Sequence, residues 1–115
     1  MAFEPYHLDQ LWEWFFATGE DKPVKRIVGF FQLIGGDPRP GEMPSQPDPA
    51  DRVATANFRI YGPAIWSTLS LAIQQDRVLK ILKECEKDPA LPPRSKAWTK
   101  QVIEMAESQR AKQAK

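Results

Sequence analysis

Apolar residues recur along this chain at helical spacing, and six helices follow from where the stripes start and stop. Leu8, Leu11, Trp12, Phe15 and Phe16 fall at i, i+3, i+4, i+7 and i+8, the stripe of an amphipathic helix over about Leu8–Ala17. An extended lead-in over residues 1–7 precedes it, limited by Pro5, and Gly19 supplies a left-handed stop. Asp21 is the expected cap of a second helix over about Lys22–Leu33, with Pro23 in its first turn. Its stripe is Val24, Ile27, Val28, Phe31 and Ile34, and Gly35-Gly36 ends it. A third helix starts near Pro49 or Asp51, carries Val53, Ala54, Ala56, Phe58 and Ile60, and is broken or kinked at Gly62-Pro63. A fourth, about Pro63–Ile73, carries Ile65, Trp66, Leu69, Ala72 and Ile73. Asp76 caps a fifth, about Arg77–Lys87, with the stripe Val78, Ile81, Leu82 and Cys85. The stop sequence DPALPP follows, then a sixth helix capped by Ser95 with Trp98, Val102, Met105 and Ala106 on its apolar face. The polar, basic end, residues 108–115, is expected to fray. No period-2 run of β-branched residues bounded by turns appears, so the expected class is all-α.

Shifting the chain by 54 positions lays Trp12 on Trp66, Phe15 on Leu69, Val24 on Val78, Ile27 on Ile81, Val28 on Leu82 and Arg26 on Lys80. This predicts two helical hairpins related by an internal repeat. A hairpin cannot bury its stripe alone, so the third helix is expected to bridge the pair and the sixth to cover an edge. Between the hairpins, residues 35–51 are rich in proline and are expected to form a solvated linker within one domain spanning 1–115. The alternative is a partly rigid arm that covers a neighbouring groove or presents Pro38 to Pro49 to a partner.

The run LWEWFFATGEDKPVKRIV (Leu11–Val28) and the run AIWSTLSLAIQQDRVLKIL (Ala64–Leu82) together resemble a loose group of bacterial all-helical proteins of unassigned function. The shared pattern is an LW..FFATG hairpin, a variable loop, then an A.WS helix leading to a valine-rich one. The resemblance covers about a third of the chain and implies a helical domain; it brings no catalytic or binding residues with it. In outline the chain is also similar to tetratricopeptide hairpins, but the 54-residue shift differs from their period of roughly 34 residues and their small-residue signature is missing.

Charge changes the picture little. The 115 residues carry +1 net, from 16 basic and 15 acidic side chains, which gives no bulk reason to expect nucleic acid or an anionic membrane as partner. No apolar run is long enough to span a bilayer, and the first ten residues lack the basic and apolar parts of a signal peptide. The expected location is the cytoplasm, with secretion or the periplasm after removal of a leader as the alternative.

Reactive groups are sparse. Cys85 and His7 are the only cysteine and histidine; Cys85 sits on an apolar stripe as a buried thiol, and His7 lies ahead of the first helix. One His and one Cys cannot build a zinc site, DPADR lacks a calcium loop's spacing, and no phosphate-binding glycine motif is present. No catalytic residue, metal, cofactor or small-molecule substrate is therefore expected. The distinctive feature is aromatic. Among four Trp and six Phe, Trp12, Phe15, Trp66 and Trp98 fit as core, whereas Trp14 and Phe30 fall off the stripes. Packing under the Pro-rich segment or the sixth helix would explain them; the alternative is an exposed patch of the kind that anchors protein interfaces. On that alternative the chain is a non-catalytic protein-interaction module, binding another protein or a second copy through Trp14 and Phe30, with Lys25, Arg26 and Lys80 steering an acidic or helical partner. The runner-up is a nucleic-acid-associated protein using Arg26, Lys80 and the basic tail as an edge along the second and fifth helices.

Overall fold

The computed structural model describes residues 5–34 and 38–113. Among them the fold is all-α. Five helices, α1 (Pro5–Thr18), α2 (Lys22–Gly29), α3 (Arg52–Gln74), α4 (Asp76–Lys87) and α5 (Pro93–Gln113), are joined by a 3-10 turn at Phe30–Leu33 and by a long strap over residues 38–51. α1 packs on α2 and α3; α2 packs on α4; and α5 lies against α3, α4 and the 3-10 turn. One apolar cluster joins all five helices. Val24, Ile27 and Val28 of α2 meet Val78, Ile81 and Leu82 of α4 in it, all without solvent exposure.

The local signals explain most of the boundaries. Gly19 has φ +72°, and its N–H bonds the Phe15 carbonyl at 2.7 Å, closing α1 with a left-handed residue. Asp51 caps α3 by accepting the Ala54 N–H at 3.0 Å. The other expected caps are used differently. Asp21 makes no capping bond and pairs with Lys25 at 3.1 Å. Asp76 is the first residue of α4 and binds Arg110 of α5. Ser95 lies inside α5, fully buried, where its hydroxyl accepts the Gln32 N–H at 3.0 Å and donates to the Gly29 carbonyl at 3.2 Å, fastening the 3-10 turn to α5. His7 falls within α1 rather than ahead of it. The Gly35-Gly36 stop lies outside the described residues.

Three expectations are corrected. The third and fourth predicted helices are one helix, α3, which runs 23 residues through Pro63. The segment 108–113, expected to fray, is helical, and the Arg110 side chain donates to the Ala72 carbonyl at 2.9 Å. The Pro-rich segment is largely exposed, yet it is docked as a strap on α5 instead of running free, which is the alternative of a groove-covering arm. Arg39-Pro40-Gly41-Glu42 is a tight turn with Gly41 at φ +77°, as a type II turn requires. The buried Gln101 of α5 donates its side-chain N–H groups to the Arg39 and Glu42 carbonyls at 2.6 and 2.9 Å, Pro44 is buried, and Met43 packs on the core.

The 54-residue shift does not establish an internal repeat. Burial agrees at Phe15 and Leu69 and along α2 and α4, as any two amphipathic hairpins would show. It fails at the tryptophans, where Trp12 is 6% exposed and Trp66 is 52% exposed.

Candidate binding surface

α1 ends in a set of side-chain bonds that fix Trp14. Its indole N–H donates to Glu20 Oε2 at 2.9 Å, while the Thr18 hydroxyl donates to the Trp14 carbonyl at 2.8 Å and accepts the Glu20 N–H at 3.2 Å. Trp14 is half-buried against the core. Phe30 is half-buried as well, stacked on Tyr61 with ring centroids 5.6 Å apart. Both off-stripe aromatics therefore have intramolecular packing.

Among the described residues the exposed aromatic surface lies elsewhere, on two residues the stripes had placed inside. Phe16 of α1 is 53% exposed and Trp66 of α3 is 52% exposed. A single contact lies between them. Trp12 stacks on Phe16 at 6.2 Å and donates its indole N–H to Ser67 Oγ, next in sequence to Trp66, at 3.2 Å. Phe16 and Trp66 thus stand along one α1–α3 seam whose floor is a buried tryptophan. On α1 the charged neighbours of Phe16 are Asp9 and Glu13, both exposed and both acidic. The signal that could have found Phe16 is its position at the margin of the Leu8–Leu11–Trp12–Phe15 stripe.

The basic candidates do not form a continuous edge. Lys25, Arg26 and Lys80 are all exposed. The Lys25–Asp21 hydrogen bond raises the lysine's pKa and lowers the carboxyl's, with the charge of Arg77 adding to the latter. Arg77 itself reaches across to the Gly19 carbonyl at 3.1 Å and ties α4 to the α1–α2 turn. Acid and base alternate here, with Glu84 close enough to Lys25 to act on its pKa. A mixed surface of this kind offers phosphates no one-signed stripe.

Cys85 sits buried on α4, and burial pushes its thiol up to about 11. The unfolded chain, near the ordinary value of 9.0, ionises first. The stabilisation is therefore complete below that value and is lost as pH climbs towards the folded one. A thiol reagent added to the native protein at mildly alkaline pH is expected to label Cys85 only as the chain opens. Labelling at the rate of a free thiol would place the residue outside the core.

Among the described residues no three His, Cys, Asp or Glu side chains gather as a metal site, and no helix is long and apolar enough to cross a membrane. Comparison with protein-family models, with curated proteins and with solved structures finds no match to this chain. Function is therefore read from the geometry alone.

Proposed function

We propose that this chain is a helical protein-binding module whose partner docks along the α1–α3 seam. The observation that carries the reading is the pair Phe16 and Trp66, each more than half exposed beside the Trp12–Ser67 hydrogen bond. Large aromatics held on rigid helices supply contact area at little cost in side-chain entropy, which is why they dominate interface energetics. The α1 side of the seam is acidic, at Asp9 and Glu13, while the exposed Arg59 stands seven residues before Trp66 on the α3 side, so the partner that fits is an amphipathic helix with apolar anchors whose basic rim lies along α1.

The test uses two designed helical peptides, one of leucine and lysine, one of leucine and glutamate, with tryptophan emission as the readout. The leucine–lysine peptide is expected to shift the emission to the blue, with an affinity that weakens as salt is added. Phe16→Ser or Trp66→Ser is expected to weaken binding at least tenfold while thermal stability changes little. Equal binding of both peptides, or indifference to both substitutions, would defeat the proposal. Light scattering supplies the second check: a wild-type dimer that Trp66→Ser converts to a folded monomer would reassign the face to self-association.

A further inference from the structure

The strap encloses a second feature that the α1–α3 seam does not explain. Between it, the start of α3 and α5 lies a cleft of about 470 Å³, with Arg39, Glu42, Met43, Gln46, Asp51 and Trp98 among its lining. Trp98 is 3% exposed, and its indole N–H is buried with no hydrogen-bond partner. A buried tryptophan ordinarily pairs that donor. On the other side of Gln46 and Pro47, which line both, lies a cleft of about 350 Å³ with Pro49, Thr55, Phe58 and Arg59.

The charges in the first cleft do not favour an ion. Arg39 is the one cation among its lining residues, and it faces two carboxylates, Glu42 and Asp51, of which Asp51 already caps α3. The first cleft has an acceptor at Glu42, an apolar wall at Met43 and Pro44 and, sealed beneath its surface, the unpaired Trp98 donor; the second has the Phe58 ring and two prolines, with the solvent-exposed Arg59 in its lining. A ligand that brings a neutral acceptor, a neutral donor and apolar side chains at regular spacing matches this set, and an extended peptide has that chemistry. We propose that the two clefts form one site for a short, uncharged, apolar peptide segment. One of its carbonyls accepts from Trp98 Nε1, and the next apolar side chain lodges against Pro47 and Phe58. Since the indole N–H is sealed from solvent, the carbonyl enters by parting the strap from α5, around the two bonds from Gln101.

The experiment is a titration of the full chain, with its four tryptophans nitrogen-15 labelled, followed by the indole N–H resonances. Trp98→Phe identifies the Trp98 signal by its loss. The probe is the blocked tripeptide Ac-Leu-Ala-Leu-NHMe, compared with Ac-Leu-NHMe and with the same tripeptide carrying a free carboxylate. The expected result is a saturable downfield shift of the Trp98 signal, at least tenfold tighter binding of the tripeptide than of the single residue, and no gain from the carboxylate. Thr55→Arg, which fills the second cleft from the exposed side of α3, is expected to bring the tripeptide down to the affinity of the single residue; Phe58→Ser repeats the check. No saturable shift well above millimolar probe overturns the proposal, as does an equal shift at all four indoles or tighter binding of the carboxylate. Trp66→Ser leaves the Trp98 response unchanged, so this site and the α1–α3 seam fail or stand separately.

Discussion

Alanine in place of Phe31 is expected to lower the folding free energy by about 3–5 kcal/mol, the usual cost of deleting a fully buried phenylalanine. Phe31 has no solvent exposure and lies in the 3-10 turn that packs on both α3 and α5. Its backbone cannot collapse into the vacated space. The turn is fastened on one side by the Gln32 N–H bond to Ser95 and on the other by the Ser95 bond to the Gly29 carbonyl. A cavity that cannot relax puts the loss at the upper end of the range, against a total stability on the order of 5–15 kcal/mol for a domain of this kind. Urea unfolding followed by circular dichroism should show a lower midpoint with a similar slope. Phe30→Ala is the control. That ring is half-buried on Tyr61, and its removal should cost roughly 1 kcal/mol, the scale of one aromatic pair. Equal losses at the two positions would mean that the 3-10 turn does not sit at the centre of the core.

How much of this was legible in the sequence depends on the kind of residue that fills each face. α2 and α4 bury Val24, Ile27, Val28, Val78, Ile81, Leu82 and Cys85, all aliphatic or thiol, and helical spacing alone places them inside. α3 and α5 hide hydroxyls. Thr68 and Thr99 are fully buried because each returns its hydroxyl to the carbonyl four residues back, at 2.6 and 2.7 Å to Ala64 and Ser95. A hydroxyl satisfied within its own helix enters a core at little cost, so a reading that equates polar with exposed rotates the predicted face. In α3 that rotation put Trp66 inside, whereas the buried face runs through Ala64, Ile65, Thr68 and Leu69. Which of its two readings, linker or groove-covering arm, held for the strap was unreadable for another reason. Proline-rich composition reports that the segment cannot form helix or sheet, and says nothing of an amide 59 residues beyond Glu42 that binds its carbonyls. The aromatic surplus was a sound signal with the wrong bearers. Trp14 is held by Glu20, an acidic residue six positions on, and such a local bond gives an off-stripe tryptophan a structural role.

Pro63→Ala is expected to raise stability by about 1–3 kcal/mol, or by roughly 5 °C or more in Tm. Proline inside a helix has no N–H for the carbonyl four residues earlier, here that of Arg59, and its ring crowds that carbonyl. Its own side chain is exposed, so alanine forfeits no core contact. The preceding Gly62 is buried, yet a Cβ there would meet the Phe58 ring at an ordinary 3.7 Å, so the stretch tolerates a more regular helix. Proline within a helix is a usual cause of a change of direction between its two halves. The N-terminal half carries Asp51, Ala54 and Phe58, which line the strap clefts, and the C-terminal half carries Trp66 and Ser67 on the α1–α3 seam. A change of helix direction at Pro63 would therefore move one surface relative to the other. Pro63→Ala should give a more stable protein that binds the leucine–lysine peptide less well. A variant that is both more stable and equally competent would mean that Pro63 serves neither surface. Loss of stability would mean that Pro63 is needed to seat Tyr61 and Ala64 in the core.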